Sequence, residues 1–392
     1  MRPHADNLML HLRTWAEIDL DALARNLDLV RRAAGDAGVM LVLKADAYGH
    51  GAVPVAWHLT RNNGVAYVGV GDSTEALELR DAGVTTPILV LGAVVAGEME
   101  DVLRGRIAVT VHSGDRVRQL RKVVRANGAE QVRLHIKVDT GMGRLGCRPE
   151  RALGIAREIG RSRGLQLEGV ATHLASAMPE GGREAEAQIR RFRRVIGALD
   201  KEGFQPRWRH AYASGAVLSQ LPSAFNLIRP GISLYGVDPH GRQDLGLEPV
   251  LAWRTQIVFL KDHRPGSRIG YAGTWRVPRR SRVATLPVGY NDGYRFAFSN
   301  RARVIIRGQV CPVVGRVSMD YVCVDVTKVP GASVGDTVTL LGRDGDAKVP
   351  VEELAKLADT IPYEVFCGIG RRVKRCYIGG SGPSTPTAGP SH

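Results

Sequence analysis

The chain has 392 residues, 44% of them hydrophobic, and this length and apolar content predict two domains with sizeable cores. It carries 54 Lys and Arg against 39 Asp and Glu, a formal net charge of +15, which raises nucleic acid or an acidic small molecule as a partner. The basic runs at 190–194, 279–282 and 371–375 lack the interleaved aromatic residues of a nucleic-acid module. We therefore interpret them as solvated surface and expect no nucleic-acid partner.

Other classes of protein are excluded by what the sequence lacks. No run approaches the roughly 20 apolar residues that span a bilayer, and residues 1–15 lack the apolar core of a signal peptide, so we expect a cytoplasmic protein without a membrane partner. The five Cys contain no CxxC pair and the His residues show no ligand spacing, which indicates neither a disulfide framework nor a metal site. The Gly-, Pro- and Ser-rich end, 380–392, is predicted to be a disordered tail.

In chain order, the first predicted elements are short β-branched runs that alternate with amphipathic helical stretches. Eight strands are predicted, at 39–44, 65–70, 87–91, 107–111, 132–138, 165–172, 207–211 and 224–229. Eight strand-and-helix units over about 200 residues are typical of a (β/α)8 barrel of the TIM type. A doubly wound open sheet is the alternative, which strand counting alone does not exclude.

Beyond residue 244 the pattern changes to short strands separated by Gly, Pro, Asn or Asp. These strands are predicted at 250–260, 282–290, 302–318, 321–326 and 336–341, with one helix at 350–360. The predicted fold class is therefore α/β, with an N-terminal (β/α)8 barrel (12–243) followed by a mainly antiparallel β-domain (244–379). The boundary is expected within the polar, Gly- and Pro-bearing stretch 238–249.

Polar side chains follow several of the predicted barrel strands, at the ends where barrel enzymes place their catalytic residues. They are Lys44, the run Lys137–Arg144, His173, Ser214 and Arg229. A lysine whose pKa is lowered by desolvation and neighbouring cations can form a Schiff base with an aldehyde cofactor. Pyridoxal 5'-phosphate (PLP) also needs a phosphate site and partners for its ring. The loops at Ser214 and at Gly231 and Ile232 are candidates for the phosphate site, and Arg144 and Arg229 for the ring.

The run GMGRLG at 141–146 also fits the G-x-G-x-x-G pattern of dinucleotide-binding sites. In that fingerprint a helix opens at the glycines, whereas here Pro149 marks the helix entry. A single match of this kind is weak, so we do not predict a dinucleotide site.

Several motifs of the chain, taken together, resemble those of alanine racemases. VLKADAYGHG at 42–51 resembles the PLP-lysine signature of that family, and HIKVDTGMGRLG, ATHLASA, RPGISLYG, LPVGYNDGY, VVGRVSMD and IPYE follow in the family's order, so that the resemblance runs from Thr14 to Tyr377. It implies a barrel followed by a β-domain, PLP as cofactor, and an isomerase that interconverts L-alanine and D-alanine by a two-base proton transfer.

The resemblance also implies roles for individual residues. Lys44 would bind PLP as a Schiff base and serve as one base, and Tyr271 would be the opposite base, contributed by the partner chain of a homodimer with shared active sites. The residues that match the phosphate-binding set are Tyr48, Ser214, Gly231, Ile232 and Tyr363.

Further matches concern the cofactor ring and the substrate. Arg229 would face the pyridine nitrogen, with His173 linking Arg229 toward Tyr271. Lys137 matches a lysine that is carbamylated in many members, where it positions Arg144 against the phenolic oxygen and the substrate carboxylate. The backbone at Met319 would contact that carboxylate from the second chain.

Three places depart from the family pattern. Ala213 precedes Ser214 where many members have Asn, Arg295 is displaced by one position, and Tyr321 follows Asp320 in place of a frequent Gln. These changes put the substrate range in doubt, so a broader-spectrum amino-acid racemase, acting for example on serine, is the alternative. A PLP-dependent decarboxylase on the same architecture is another hypothesis, which predicts release of carbon dioxide.

Overall fold

A computed structural model describes residues 11–61, 64–128, 131–176, 182–219, 225–242 and 244–380. From residue 381 onward, the predicted disordered tail lies outside the described residues. The chain forms two compact units, which we call the barrel unit (Leu23–Ala47 and Gly51–Glu248) and the β unit (Met1–Ala22, Tyr48–His50 and Pro249–His392). The first strand, β1 (Thr14–Asp19), belongs to the β unit.

The barrel unit contains a parallel sheet of eight strands in the order β8-β7-β6-β5-β4-β3-β2-β9. The strands are β2 (Gly38–Val42), β3 (Tyr67–Val70), β4 (Ile88–Ala93), β5 (Ala108–Val111), β6 (Val132–Lys137), β7 (Leu165–Ala171), β8 (Trp208–His210) and β9 (Leu227–Ile228). The two ends of this sheet meet, because Arg229 and Ala213 form a parallel bridge and the Arg229 amide donates to the Tyr212 carbonyl at 2.8 Å. The barrel prediction is therefore confirmed, and the open-sheet alternative is wrong.

Each barrel strand from β2 to β8 is followed by a helix, and the last strand, β9, is followed by a 3-10 helix. The helices are Ala52–Thr60, Ser73–Asp81, Met99–Arg104, Gly114–Asn127, Ala152–Gly160, Gly182–Lys201, Ser214–Leu218 and the 3-10 helix Ile232–Tyr235, and Leu20–Ala34 precedes β2. Side chains cap several of these helices; for example, Asp72 accepts from the Glu75 amide and Ser113 from the Arg116 amide. Parallel strands that are covered on both faces are typically apolar along their whole length, and β3 and β5 fit this pattern because they are buried throughout.

The β unit contains a seven-stranded sheet, in which β19 is attached to the path β16-β15-β18-β10-β1-β20, and two smaller sheets, β11-β14-β17 and β12-β13. Its strands after β1 are β10 (Leu251–Gln256), β11 (Phe259–His263), β12 (Arg268–Ile269), β13 (Trp275–Arg276), β14 (Ser281–Leu286), β15 (Arg303–Ile306), β16 (Gln309–Pro312), β17 (Val322–Asp325), β18 (Thr337–Asp344), β19 (Ala347–Val349) and β20 (Lys374–Ile378). Helices Val351–Leu357 and Pro362–Cys367 complete the unit. All these strand pairs are antiparallel except β1 with β20, which agrees with the mainly antiparallel domain predicted from sequence.

The position of β1 differs from the predicted domain limits, which began the barrel domain at residue 12. Strand β1 lies between β10 and β20, with Trp15 opposite Arg254 on one side and Lys374 on the other. Strand β1 thus belongs to the β unit, and the chain passes from the barrel unit to the β unit between Glu248 and Pro249, inside the predicted boundary stretch. Among the helices that the structure describes, none is both long enough and apolar enough to cross a membrane.

Candidate active site

Lys44 stands two residues beyond the end of β2, at the start of a turn with unusual handedness. Ala45, Asp46, Ala47 and Tyr48 all have φ between 52° and 55°, the left-handed region. Left-handed helical backbone costs an L-residue roughly 1–2 kcal/mol, so four consecutive residues make this turn expensive. The exposed Lys44 side chain is therefore presented by a backbone that the surrounding structure must hold in place.

Carboxylates of the barrel unit hold this turn. Glu75 accepts from the Ala45 amide at 2.6 Å with one oxygen and from the Gly71 amide at 2.7 Å with the other, so it joins the loops that follow β2 and β3. Asp46 accepts from the Ala52 amide at 2.6 Å, at the start of the next helix. The strain of the turn is offset in part by hydrogen bonds to charged acceptors, which are stronger than neutral ones.

Two lysines and two arginines form what we call the cationic cluster, Lys44, Lys137, Arg144 and Arg229. Lys137 ends β6 and is buried, and Arg229 follows β9 and is 4% exposed. Burial, together with the charges of Arg229, Arg144 and Lys44, lowers the pKa of Lys137 to about 7. Burial lowers the pKa of Arg229 to about 10, so the guanidinium still carries its charge at neutral pH.

The Arg229 guanidinium is held by hydrogen bonds to neutral groups. It donates through Nη2 to the carbonyls of Thr172 (2.8 Å) and Ala211 (2.9 Å) and to His173 Nδ1 (3.3 Å). Through Nη1 it donates to His210 Nδ1 at 2.9 Å. Burial, followed by the charges of Arg229 and Lys137, lowers the pKa of His173 to about 3. Burial, followed by the charge of Arg229, also lowers the pKa of His210. Both imidazoles are therefore neutral, and each accepts a hydrogen bond from Arg229 through Nδ1.

The loop that carries Arg144 also explains the glycine-rich motif. Asp139 accepts from the amides of Gly141 (2.9 Å) and Gly143 (3.0 Å), and a Cβ on Gly146 would lie 2.5 Å from the Asp139 nitrogen. The helix begins only at Ala152, after a 3-10 turn that starts at Pro149. The glycines thus close a tight loop and do not open a helix, which agrees with setting the dinucleotide interpretation aside.

A pocket of the barrel unit opens at this loop, lined by Leu91, Lys137, Val138, Asp139, Met142, Arg144, Leu145 and His173. Ser214 lies on the loop after β8, at the start of its short helix, and is buried. Its hydroxyl accepts from the Gly231 amide at 2.9 Å, which connects the loops after β8 and β9. Ile232, the next residue, begins the 3-10 helix and is buried as well.

The remaining candidate residues lie in the β unit. The rings of Tyr48 and Tyr363 are neighbours, with centroids 5.8 Å apart, and burial raises the pKa of both hydroxyls. Tyr271 is 71% exposed, on a tight turn in which Ala272 has a φ of 57°. Met319 is 53% exposed, and its carbonyl accepts from the Asn291 amide at 3.2 Å.

The residues predicted from sequence therefore form two groups. The barrel unit brings together Lys44, Lys137, Arg144, His173 and Arg229, and separately joins Ser214 to Gly231. The β unit pairs Tyr48 with Tyr363 and exposes Tyr271 and Met319. Glu75 and His210 were not among the residues predicted from the sequence. His210 ends β8, so its strand-end position was the available signal, whereas nothing in the local sequence singles out Glu75.

Comparisons with known proteins agree over most of the chain. Residues 18–239 match the family model described as alanine racemase, N-terminal domain, and residues 250–377 match the one described as alanine racemase, C-terminal domain. A protein named alanine racemase from Halothermothrix orenii is 40% identical over 373 residues, which cover 94% of this chain and 98% of the relative. One of the same name from Geobacter sulfurreducens is 42% identical over 372 residues, 93% of this chain and 97% of the relative. The solved structure of an alanine racemase from Clostridium difficile 630 superposes with a TM-score of 0.88 at 35% identity, covering 94% of this chain and 96% of that one.

Proposed function

Because the chain belongs to the alanine racemase family, we propose that it interconverts L-alanine and D-alanine with PLP as its cofactor. The observation that carries this proposal is the cationic cluster at the carboxyl ends of the barrel strands. In barrel enzymes that edge holds the reacting groups, and this one concentrates positive charge where a phosphate-bearing cofactor and an amino-acid carboxylate would be bound.

The donor set fits PLP. Lys44 supplies an exposed amine at a strand end, and Arg229 supplies a buried cation that donates only. Ser214, Gly231 and Ile232 would hold the phosphate, together with the hydroxyls of Tyr48 and Tyr363. When bound, PLP supplies electron withdrawal from the α-carbon of the amino acid.

The chain's own residues then move the proton. Racemisation removes the α-proton from one face and returns a proton to the other, so it needs two bases on opposite sides. We assign these roles to the Lys44 amine and the Tyr271 hydroxyl. Arg144 and the backbone at Met319 would orient the substrate carboxylate, and Lys137, carbamylated, would position Arg144. Because Arg229 does not give up its proton, it would keep the ring nitrogen unprotonated and so moderate the electron withdrawal.

We further propose a homodimer in which Tyr271 and Met319 of one chain complete the active site of the other, and a cytoplasmic location. The exposure of both residues on a single chain supports the shared site. A racemase that also accepts serine stays the alternative, because the departures at Arg295 and Tyr321 are expected near the substrate entry.

The test is an absorption spectrum followed by a rate measurement. The purified protein should be yellow, and borohydride reduction should fix the cofactor on the peptide that contains Lys44. It should convert L-alanine into D-alanine, read by chiral chromatography, without releasing carbon dioxide. A colourless protein that binds nucleic acid in a salt-dependent way would contradict the proposal. A higher kcat/KM for serine than for alanine would favour the alternative.

A further inference from the structure

A row of buried polar side chains continues from Arg229 into the interior of the barrel. Arg229 Nη1 lies 2.9 Å from His210 Nδ1, and His210 Nε2 lies 2.8 Å from His135 Nδ1. His135 Nε2 in turn lies 3.3 Å from Glu168 Oε2. Both histidines are fully buried, on β8 and β6, and Glu168 is on β7. We call Arg229, His210, His135 and Glu168 the barrel relay.

The chemistry of Arg229 fixes the direction of every hydrogen bond in the barrel relay. A guanidinium only donates, so His210 Nδ1 must accept, and a neutral His210 then carries its proton on Nε2. That proton is donated to His135 Nδ1, so His135 also carries its proton on Nε2 and donates it to Glu168. Burial, the largest influence, lowers the pKa of both histidines, which is consistent with two neutral rings.

Glu168 ends the barrel relay as an anion. Burial alone would raise the pKa of Glu168, but hydrogen bonds from His135 and Tyr67 outweigh it and lower the pKa. The Tyr67 hydroxyl donates to the same oxygen, Oε2, and Arg133 Nη1 lies 3.9 Å from the other. A buried carboxylate with these partners is stabilised in its charged form.

The backbone is shaped to admit these side chains. Strand β7 has a register shift against β6, where Leu134 faces Leu167 but His135 faces Gly169, so Glu168 is the extra residue of a bulge. Bulges between parallel strands are rare, and they redirect side chains. A Cβ on Gly169 would lie 2.2 Å from His135 Nδ1, so only glycine leaves room for that ring.

Arg229 lacks the partner that a buried cation usually has. In the described ranges its polar contacts are two imidazoles and two carbonyls, with no carboxylate among them. We propose that Glu168 is a positioning residue that acts on Arg229 through two neutral histidines: it is the final acceptor of the barrel relay, whose direction Arg229 fixes, and it supplies the negative charge at the far end. This inference rests on the proposed function only for the claim that Arg229 serves the reaction.

The direct test is the tautomer of each histidine in the PLP-loaded protein, read from 15N spectra of protein labelled at histidine. His135 and His210 should both be neutral with the proton on Nε2, and should stay so between about pH 5 and pH 8, where an exposed histidine titrates. The variant His135→Gln distinguishes the signals of the two histidines, because its spectrum lacks those of His135. An imidazolium, or a proton on Nδ1 of either ring, would overturn the proposal.

The second test separates an effect on Arg229 from simple filling of the barrel interior. Glu168→Gln keeps the size but removes the charge, and should shift the His210 signals and lower kcat roughly three- to thirtyfold with little change in KM. Glu158→Gln, the same change on a helix of the barrel unit, is the matched control and should leave both unchanged. Tyr67→Phe, which removes one donor to Glu168 and keeps the ring, should give a smaller shift in the same direction.

The outcomes are distinguishable from failure of the proposed function. If Glu168→Gln and Tyr67→Phe fold, as judged by circular dichroism, but kcat and the His210 signals match those of Glu158→Gln, the role of Glu168 is only structural. If Glu168→Gln does not fold, Tyr67→Phe and the parent spectra still decide. A parent protein that racemises no amino acid would refute the proposed function, whereas the tautomer spectra would still decide the direction of the barrel relay.

Discussion

Two candidate residues of the barrel unit and two of the β unit differ sharply in exposure. In the barrel unit Lys137 and Arg229 are buried, and hydrogen bonds and neighbouring charges fix their surroundings. In the β unit Tyr271 and Met319 are 71% and 53% exposed. Lys137 and Arg229 are therefore preorganised within one chain, whereas the exposed side chains of Tyr271 and Met319 have little around them to hold them. That difference is what a site completed by a second chain requires, and it can be tested from either unit.

The largest effect is expected at Lys44. Lys44→Ala removes the amine that would bind the cofactor as well as one of the two bases, so racemisation should be lost in both directions. Chiral chromatography of alanine measures the activity, and borohydride reduction should no longer label the 42–51 segment. Lys201→Ala, at the exposed end of a barrel helix, is the control and should behave like the parent. Undiminished turnover by Lys44→Ala would contradict the assignment.

Tyr271→Phe should have the next largest effect. It removes only the hydroxyl, and loss of a general acid or base costs roughly 10²- to 10⁴-fold in rate, while the yellow colour should persist. Tyr294→Phe is a control in the same unit, because the Tyr294 hydroxyl is buried without a hydrogen-bond partner among the described residues. Rates and α-deuterium isotope effects for both enantiomers are the measurement. If they equal those of the parent, Tyr271 is not the second base.

Mixing the two inactive variants tests the shared site itself. Heterodimers of Lys44→Ala with Tyr271→Phe would contain one intact site, so a 1:1 mixture should recover up to about a quarter of the parent activity. Subunit exchange is verified by mass spectrometry of differently tagged chains. No recovery after exchange would place both bases in one chain. The exposure of Tyr271 would then no longer support a site shared between two chains.

A smaller effect is expected from Lys137. Its pKa of about 7 means that the amine is neutral above pH 7, which is the form that reacts with carbon dioxide. In labelled bicarbonate a carbamate 13C signal should therefore appear above about pH 7, decline below it, and be absent from Lys137→Met. That variant should lower kcat/KM for alanine roughly 10- to 150-fold, the value of a hydrogen bond to a charged group.

If Lys137 stays unmodified, its lowered pKa also predicts that the stability of the protein depends on pH. Its pKa falls from 10.5 in the unfolded chain to about 7 in the folded one, so between these values the unfolded state binds more protons. The free energy of unfolding should then rise as the pH increases through that window, and Lys137→Met should flatten the slope. An unchanged slope would show that the parent lysine is carbamylated or that its pKa is not lowered.

Some features of the fold and of the candidate site could be predicted from the sequence and others could not, for physical reasons. Most of the barrel strands could be predicted because they are largely apolar runs between helix signals, and the polar residues at their ends stand out against that background. Strand β1 could not be placed, because its partners β10 and β20 are distant in sequence and pairing partners leave no local pattern. The bulge at Glu168 depends on the register with β6, and the left-handed turn after Lys44 contains no glycine before Gly49 to signal it.

The smallest effect concerns Glu75, which holds that turn. Glu75→Ala removes the acceptor of the Ala45 and Gly71 amides, and because Glu75 is only partly buried we expect a loss of about 1 kcal/mol in the free energy of unfolding. A misplaced reacting group costs more in rate than in stability, so racemisation should fall by about tenfold. Asp81→Ala, at the exposed end of the same helix, is the control, and Glu75→Gln, which keeps one acceptor oxygen, should lie between the two. Thermal unfolding and initial rates measure the two effects. If stability falls but the rate per folded protein does not, the strained turn tolerates the loss of Glu75 without displacing Lys44. The position of Lys44 would then depend less on the carboxylates around it than the buried surroundings of Lys137 and Arg229 suggest.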